Sequence, residues 1–169
     1  TEQQPYEVIR EESGWELRRY PAHVVAETAV HGVAFEDAGN RAFGLLVGYI
    51  NGQNTRRQKV AMTAPVVQSS TGDGFVVAFV LPAAMTEQDA PVPTNAAVRV
   101  RTVPEQLVAA TRFSGRWTEE SWRKHRDELL AALSSAGVTV IGEPRFARFD
   151  PPFTPWFLRR NEVLVDVAG

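Results

Sequence analysis

The sequence has no cysteine, only two methionines and only three histidines in 169 residues. Without a thiol there is no disulfide framework, thiolate metal site, cysteine nucleophile or iron–sulfur cluster. A reducing compartment fits this, and a cytoplasmic location is the expectation. An excess of one charge is also missing, since 18 Lys+Arg stand against 20 Asp+Glu for a formal net charge of −2. That balance leaves no electrostatic footprint for nucleic acid or an anionic membrane surface. No apolar run approaches the roughly 20 residues of a membrane span, and no basic-then-apolar signal segment opens the sequence. The chain starts at Thr1 rather than Met, which leaves an upstream leader open. No nucleic acid and no membrane insertion are therefore expected, and a protein partner stays unknown. Walker, GxGxxG, HExxH, GxSxG and EF-hand patterns are absent as well.

What is present describes one folded domain over residues 1–169. Hydrophobic residues make up 44% of the chain, which excludes disorder, and 11 Pro with 12 Gly exclude a coiled coil. An internal repeat organises it. Tyr20–Gly32 laid over Val103–Gly115 brings Pro21/Pro104, Val25/Val108, Ala26/Ala109, Thr28/Thr111 and Gly32/Gly115 together. The halves run over about 6–81 and 97–167. Each contains an alternating run (Tyr6–Ile9; Val98–Val103), the shared strand, a helix and two further strands. These last are Ala61–Val67 with Phe75–Leu81, and Phe146–Phe149 with Val163–Val167. Thr71–Gly74 reads as a hairpin turn, and Pro82–Ala97 links the halves.

The first helix should span Ala34–Asn51, with Phe35, Ala38, Ala42, Leu45, Leu46 and Tyr49 as its core stripe. The second should span Thr118–Ala136, capped by Thr118 and stopped by Gly137, with Trp122, Leu129, Leu130 and Leu133 inward. The expected fold is α+β, β-β-α-β-β twice. It would form a distorted antiparallel eight-stranded barrel with two flanking helices and internal pseudo-two-fold symmetry.

Most polar features read as ordinary surface. His23 and His31 sit at the two ends of one strand, roughly 26 Å apart at ~3.3 Å per residue, and cannot chelate one ion. His125 lies beside the second core stripe. Glu11/Glu12 and Glu119/Glu120 are adjacent pairs that point apart, so neither is an acid/base pair. Arg56, Arg57 and Lys59 form a basic loop cluster, read either as an anion contact or as solvated charge. Two apolar features stand out. Gly39, Gly44 and Gly48 lie inside the first helix, each costing about 1 kcal/mol relative to Ala. With Asn40, Phe43 and Val47 they make a flat groove away from the core stripe. Either a flat hydrophobic ligand docks there, or another segment or a partner subunit packs against it. Phe153-Thr-Pro-Trp156-Phe157-Leu158 with Arg159 and Arg160 reads either as the wall of a cleft or as a plug closing the barrel.

Several motifs give the chain a family resemblance. They are Trp15-Glu-Leu-Arg-Arg-Tyr-Pro, Val24-Val-Ala-Glu-Thr, Phe43…Tyr49-Ile-Asn-Gly, Lys59-Val-Ala-Met-Thr-Ala-Pro-Val66, Phe149-Asp-Pro-Pro152 and Arg159-Arg-Asn-Glu-Val163. Over Tyr6–Val167 the sequence resembles the SOUL/heme-binding protein family. The resemblance implies a distorted β-barrel with two flanking helices. It also implies reversible binding of heme or a related porphyrin in an open apolar cleft between the first helix and the loop before the last strand. Carried over, the cleft residues are Gly39, Asn40, Phe43, Gly44, Val47 and Gly48, facing Phe153, Trp156, Phe157, Leu158 and Arg159. Animal relatives hold the propionates with an Arg and a Lys on this helix, where Asn40 and Gly48 stand here. One branch uses an axial His where this chain has Arg19. Arg41, Arg56, Arg57, Arg159 and Arg160 are substitute propionate partners, and His23 and Met62 are candidate iron ligands, with a core position the competing reading for Met62. The implied role is a non-catalytic tetrapyrrole carrier or buffer. The alternative is an effector- or partner-binding module that has lost heme binding. Tetrapyrrole metal removal ranks third, because no acid/base group stands near the cleft.

Overall fold

Alternating apolar and polar residues produce strands buried on one face, and they do so along most of this chain. The computed structural model describes Thr1–Gly169. Its elements are β1 (Glu2–Gln3), β2 (Glu7–Glu12), β3 (Trp15–Tyr20), β4 (His23–His31), α1 (Phe35–Ile50), β5 (Thr63–Ala64), β6 (Val66–Thr71) and β7 (Gly74–Val80). After the linker come β8 (Arg99–Val103), β9 (Gln106–Phe113), α2 (Glu119–Ser135), β10 (Arg145–Arg148), a 3-10 turn (Trp156–Leu158) and β11 (Asn161–Asp166).

Nine strands form one antiparallel sheet in the order β2-β3-β9-β11-β10-β6-β7-β4-β8. β2 and β8 are its unpaired edges, so the sheet curls into a half-barrel and stays open. The expected count was eight. The ninth strand arises because 7–12 and 15–20 form a separate hairpin, turned through Gly14 at φ 87°. β2 carries the expected run Tyr6–Ile9 but is exposed along its whole length rather than half-buried. The strand beyond the expected eight is β3, whose residues stand out in the sequence only as a motif. Leaving out β2, the order places β3 opposite β8, β9 opposite β4, β11 opposite β7 and β10 opposite β6.

Both helices cover one face of the sheet. Ala38, Ala42, Leu46 and Tyr49 of α1 pack on Val24, Ala26, Val77 and Phe79. Small alanines let the helix approach closely, and each buried large apolar side chain adds roughly 1.5–3 kcal/mol. Trp122, Leu129 and Leu133 of α2 pack on Ala109, Phe113, Phe146, Val163 and Val165. Phe35 joins the two layers, its ring 5.4 Å from Phe146 and 6.0 Å from Trp122. Thr118 caps α2 by accepting from the Ser121 N–H at 3.2 Å, and Gly137 leaves the helix at φ 72°. Both helices keep within one residue of their expected bounds.

Candidate functional site

The period of two along β7 sends Val77 and Phe79 to the helical face and Val76 and Ala78 to the concave one. Each face carries a cavity. On the helical face, a cleft of about 380 Å³ opens between the first half of α1 and the segment after β10. Its α1 wall is Gly39, Asn40 and Phe43, and its floor is Val66, Val77 and Phe79. Met62, Thr63 and Ala64 close one side, with Trp117, Arg148 and Phe149–Phe153 on the other. Phe43 is held edge-on to Phe79 at 6.0 Å, and Phe153 is 87% exposed at the lip.

Two polar groups inside this apolar cleft lack partners. Arg148 Nε and Thr63 Oγ1 are buried without a hydrogen bond. Arg148 sits on β10 opposite Val66, on the same face as buried Phe146. Its guanidinium fills the space left by Gly39, where a Cβ would overlap Nη2, Nη1 and Cζ. Burial, followed by the charge of Arg159, pushes its pKa down to about 10. Both guanidiniums lie over the Trp117 ring, at 5.0 Å for Arg148 and 4.1 Å for Arg159. Trp117 is itself oriented by donating Nε1–H to Asn161 Oδ1 at 2.8 Å.

The concave face holds a second cavity of about 350 Å³, and two of its acids, Glu27 and Asp166, are already paired. Glu27 accepts from Arg101 at 2.7 Å and also from Arg99. Burial alone would raise its carboxyl, but these two guanidiniums hold it below the ordinary range. Asp166 pairs with Arg145 at 3.0 Å. Further along this face Arg18 and Glu162 form a two-pronged buried ion pair at 2.6 and 2.8 Å. Arg160 adds a third contact to Glu162 at 3.0 Å. Burial opposes the Arg18 charge, and Glu162, Tyr20 and Glu16 together more than offset that, so its pKa rises. Burial also pushes the neighbouring Tyr20 hydroxyl up to about 12.

A family model described as "SOUL heme-binding protein" matches residues 1–166. The chain belongs to the SOUL family. Heme-binding protein 1 of Xenopus tropicalis is 26% identical over 155 residues, covering 88% of this chain and 81% of the relative. Heme-binding protein 2 of Mus musculus is 24% identical over 179 residues, covering 96% and 86%. Among solved structures, the C-terminal domain of EcmrR superposes with a TM-score of 0.70 at 12% identity, over 96% of this chain and 98% of that one. This last likeness concerns the fold.

In this SOUL chain, the motif Arg159-Arg-Asn-Glu serves both faces at once. Asn161 and Arg159 set Trp117 at the cleft, while Arg160 and Glu162 join the concave network. Of the residues expected at the site, Gly39, Asn40, Phe43 and Phe153 line the cleft, as does the candidate ligand Met62. Gly44 faces open space beside them, and Gly48 lies under the Gln53 side chain. Val47 packs against the α1 core. Trp156, Phe157 and Leu158 form an exposed turn beyond the lip, Trp156 lying 4.7 Å beneath the Arg116 guanidinium. Arg159 is tied to the Thr154 and Pro152 carbonyls at 3.0 and 2.8 Å.

Other candidates are carried elsewhere. His23 lines the concave cavity and bonds Pro21 O at 2.9 Å. Arg19 pairs with Glu105 at 3.1 Å, and Arg56 donates to the linker carbonyls of Asp89 and Gln88. His125 stacks on Phe113 at 3.8 Å. Arg148 was not anticipated. The signal for it was its place two residues after Phe146, which puts a cation on a core-facing position. No helix is long and apolar enough to cross a membrane.

Proposed function

We propose that this SOUL protein binds heme or a related tetrapyrrole in the cleft on its helical face and serves as a carrier or buffer. The observation carrying this reading is an open apolar cleft of about 380 Å³ with two unpartnered buried polar atoms in its wall. Buried polar groups are normally satisfied, so each such exception calls for a partner. Apolar walls with a few polar groups describe a small-molecule site, and relatives named heme-binding proteins give the ligand class. The ring enters against Gly39, Asn40 and Phe43. It extends over the open face at Gly44 toward Val47 and Gly48, where Gln53 lies. Above it are the lip at Phe153 and, beyond that, the exposed turn of Trp156, Phe157 and Leu158 with Arg159. Met62 is the thioether nearest such a ring, whereas His23 belongs to the opposite face. Binding by apolar contact with few polar anchors sits near micromolar, about 8 kcal/mol, which suits reversible delivery.

A hemin titration of the full chain, followed at the Soret band, tests this. Asn40 is exposed on α1 and lines the cleft, so Asn40→Trp fills the mouth without touching the core. Saturable one-to-one binding that falls at least tenfold in Asn40→Trp supports the reading. Unchanged binding in the folded variant overturns the cleft as the site. A second reading is an effector-binding module using the concave cavity of about 350 Å³, with its Glu27, Arg99 and Arg101 cluster. It gains if hemin fails to bind while the fold is intact.

A further inference from the structure

Arg148 is the one guanidinium in the wall of the helical cleft whose hydrogen-bonding capacity is unused. Its Nε is buried without a partner. The influences on it are burial and the like charge of Arg159, with no carboxylate among them. Asp150, also in the wall, accepts the backbone N–H of Arg160. Stacking on Trp117 does not satisfy Arg148, because a cation–π contact uses the face of the guanidinium and leaves its in-plane N–H groups free. A half-buried cation with one N–H shut off from water and no counter-ion is costly to hold, and one placed beside a second cation costs more. The chain nonetheless keeps a glycine at position 39 to make room for it. Thr63 Oγ1 in the same cleft is a second, independent unpaired polar atom.

We infer that Arg148 is the anion anchor of the cleft, so that its ligand is a flat apolar molecule carrying a carboxylate, which pairs with this guanidinium. The inference rests on the cleft being the binding site, and it replaces the basic residue that α1 lacks at Asn40 and Gly48. Charge-assisted N–H···O⁻ bonds to arginine are the strongest polar contacts available there, and their planar fork selects carboxylates over neutral groups. Arg159 assists by placing its like charge over the same Trp117 ring and by fixing the loop through Thr154 and Pro152.

The experiment compares acid and neutral forms of two flat probes by fluorescence titration. These are protoporphyrin IX against its dimethyl ester, and pyrenebutyrate against pyrenebutanol. Wild type, Arg148→Met and Arg148→Lys are titrated, with circular dichroism and Tm recorded for each. The expected result is at least tenfold preference for each acid in the wild type. Arg148→Met removes that preference, each acid falling to the affinity of its neutral partner in the same variant, Arg148→Lys restores part of it, and the free Arg148→Met protein melts no lower than wild type. Equal binding of acid and neutral pyrene probes by the wild type overturns the inference, and so does an acid preference that survives Arg148→Met. If neither porphyrin binds while the pyrene acid preference holds and depends on Arg148, the tetrapyrrole reading fails and the anion anchor stands.

Discussion

Arg18 and Glu162 show at the residue scale what motif letters do. The Arg18 side chain is 4% exposed and that of Glu162 is 0%, and Ala110 puts only a methyl group between their strands. Removing one partner of a buried pair costs about 3–5 kcal/mol when the other charge is left alone, and Arg160 still reaches Glu162 here. Arg18→Met should therefore lose about 2–3 kcal/mol in urea unfolding, and Arg18→Met/Glu162→Leu should recover part of it. A loss below about 1 kcal/mol would show that the pair is not a structural clasp. His23 sets a pH dependence. Burial, with the charges of Arg145 and Arg101, lowers its pKa from 6.5 against the opposing Pro21 hydrogen bond. The unfolded chain therefore takes up a proton below pH 6.5 that the native protein resists, so stability falls as pH drops. His23→Gln should flatten the stability profile just below pH 6.5. A slope identical to wild type would contradict this. Glu27, held low by its two arginines, keeps its contribution above pH 4.5 and loses it only in stronger acid.

The three α1 glycines separate at the scale of the element. Nothing lies within 4 Å of a Cβ at Gly44, whereas Gly39 is occupied by Arg148. Gly44→Ala should stabilise the protein by roughly 0.8–1 kcal/mol through helix propensity alone. Gly39→Ala has the same intrinsic gain but must drive the guanidinium from its slot, so it should show less stabilisation and weaker ligand binding. Equal gains at both positions, measured by denaturant unfolding, would mean that Arg148 moves freely. Here the sequence was informative. A stripe at spacings of three and four, with stop signals, placed both helices to within a residue, and misplaced glycines flagged the helix that lines the cleft. Which glycine mattered was not legible, because the atom that fills the gap comes from β10, more than a hundred residues away. Arg148 was hidden for the same reason. A cation ending a short strand reads as solvated until β6, α1 and Trp117 are seen to enclose it. The strand left out was Trp15–Tyr20, legible only as a motif, whereas the run expected at Tyr6–Ile9 is the edge strand Glu7–Glu12, exposed on both faces rather than half-buried.

One curled sheet gives the whole molecule two working faces with different chemistry. The concave face collects paired charges, with Glu27, Glu162 and Asp166 each matched by guanidinium. The helical face leaves an apolar cleft with an unmatched cation and an exposed aromatic lip. An apolar ring that buries on the order of 200 Å² there gains about 5 kcal/mol at ~25 cal/mol/Å², and an ionic contact to Arg148 adds selectivity to that gain. Backbone amide shifts of the full chain, titrated with diamagnetic zinc protoporphyrin, test which face takes the ligand. The account predicts perturbations at Gly39, Asn40, Phe43, Thr63, Arg148, Phe149, Asp150 and Phe153, with Val25, Glu27, Ala78 and Arg101 unmoved. Shifts centred on the concave residues, with Gly39 and Phe43 unmoved, would contradict it.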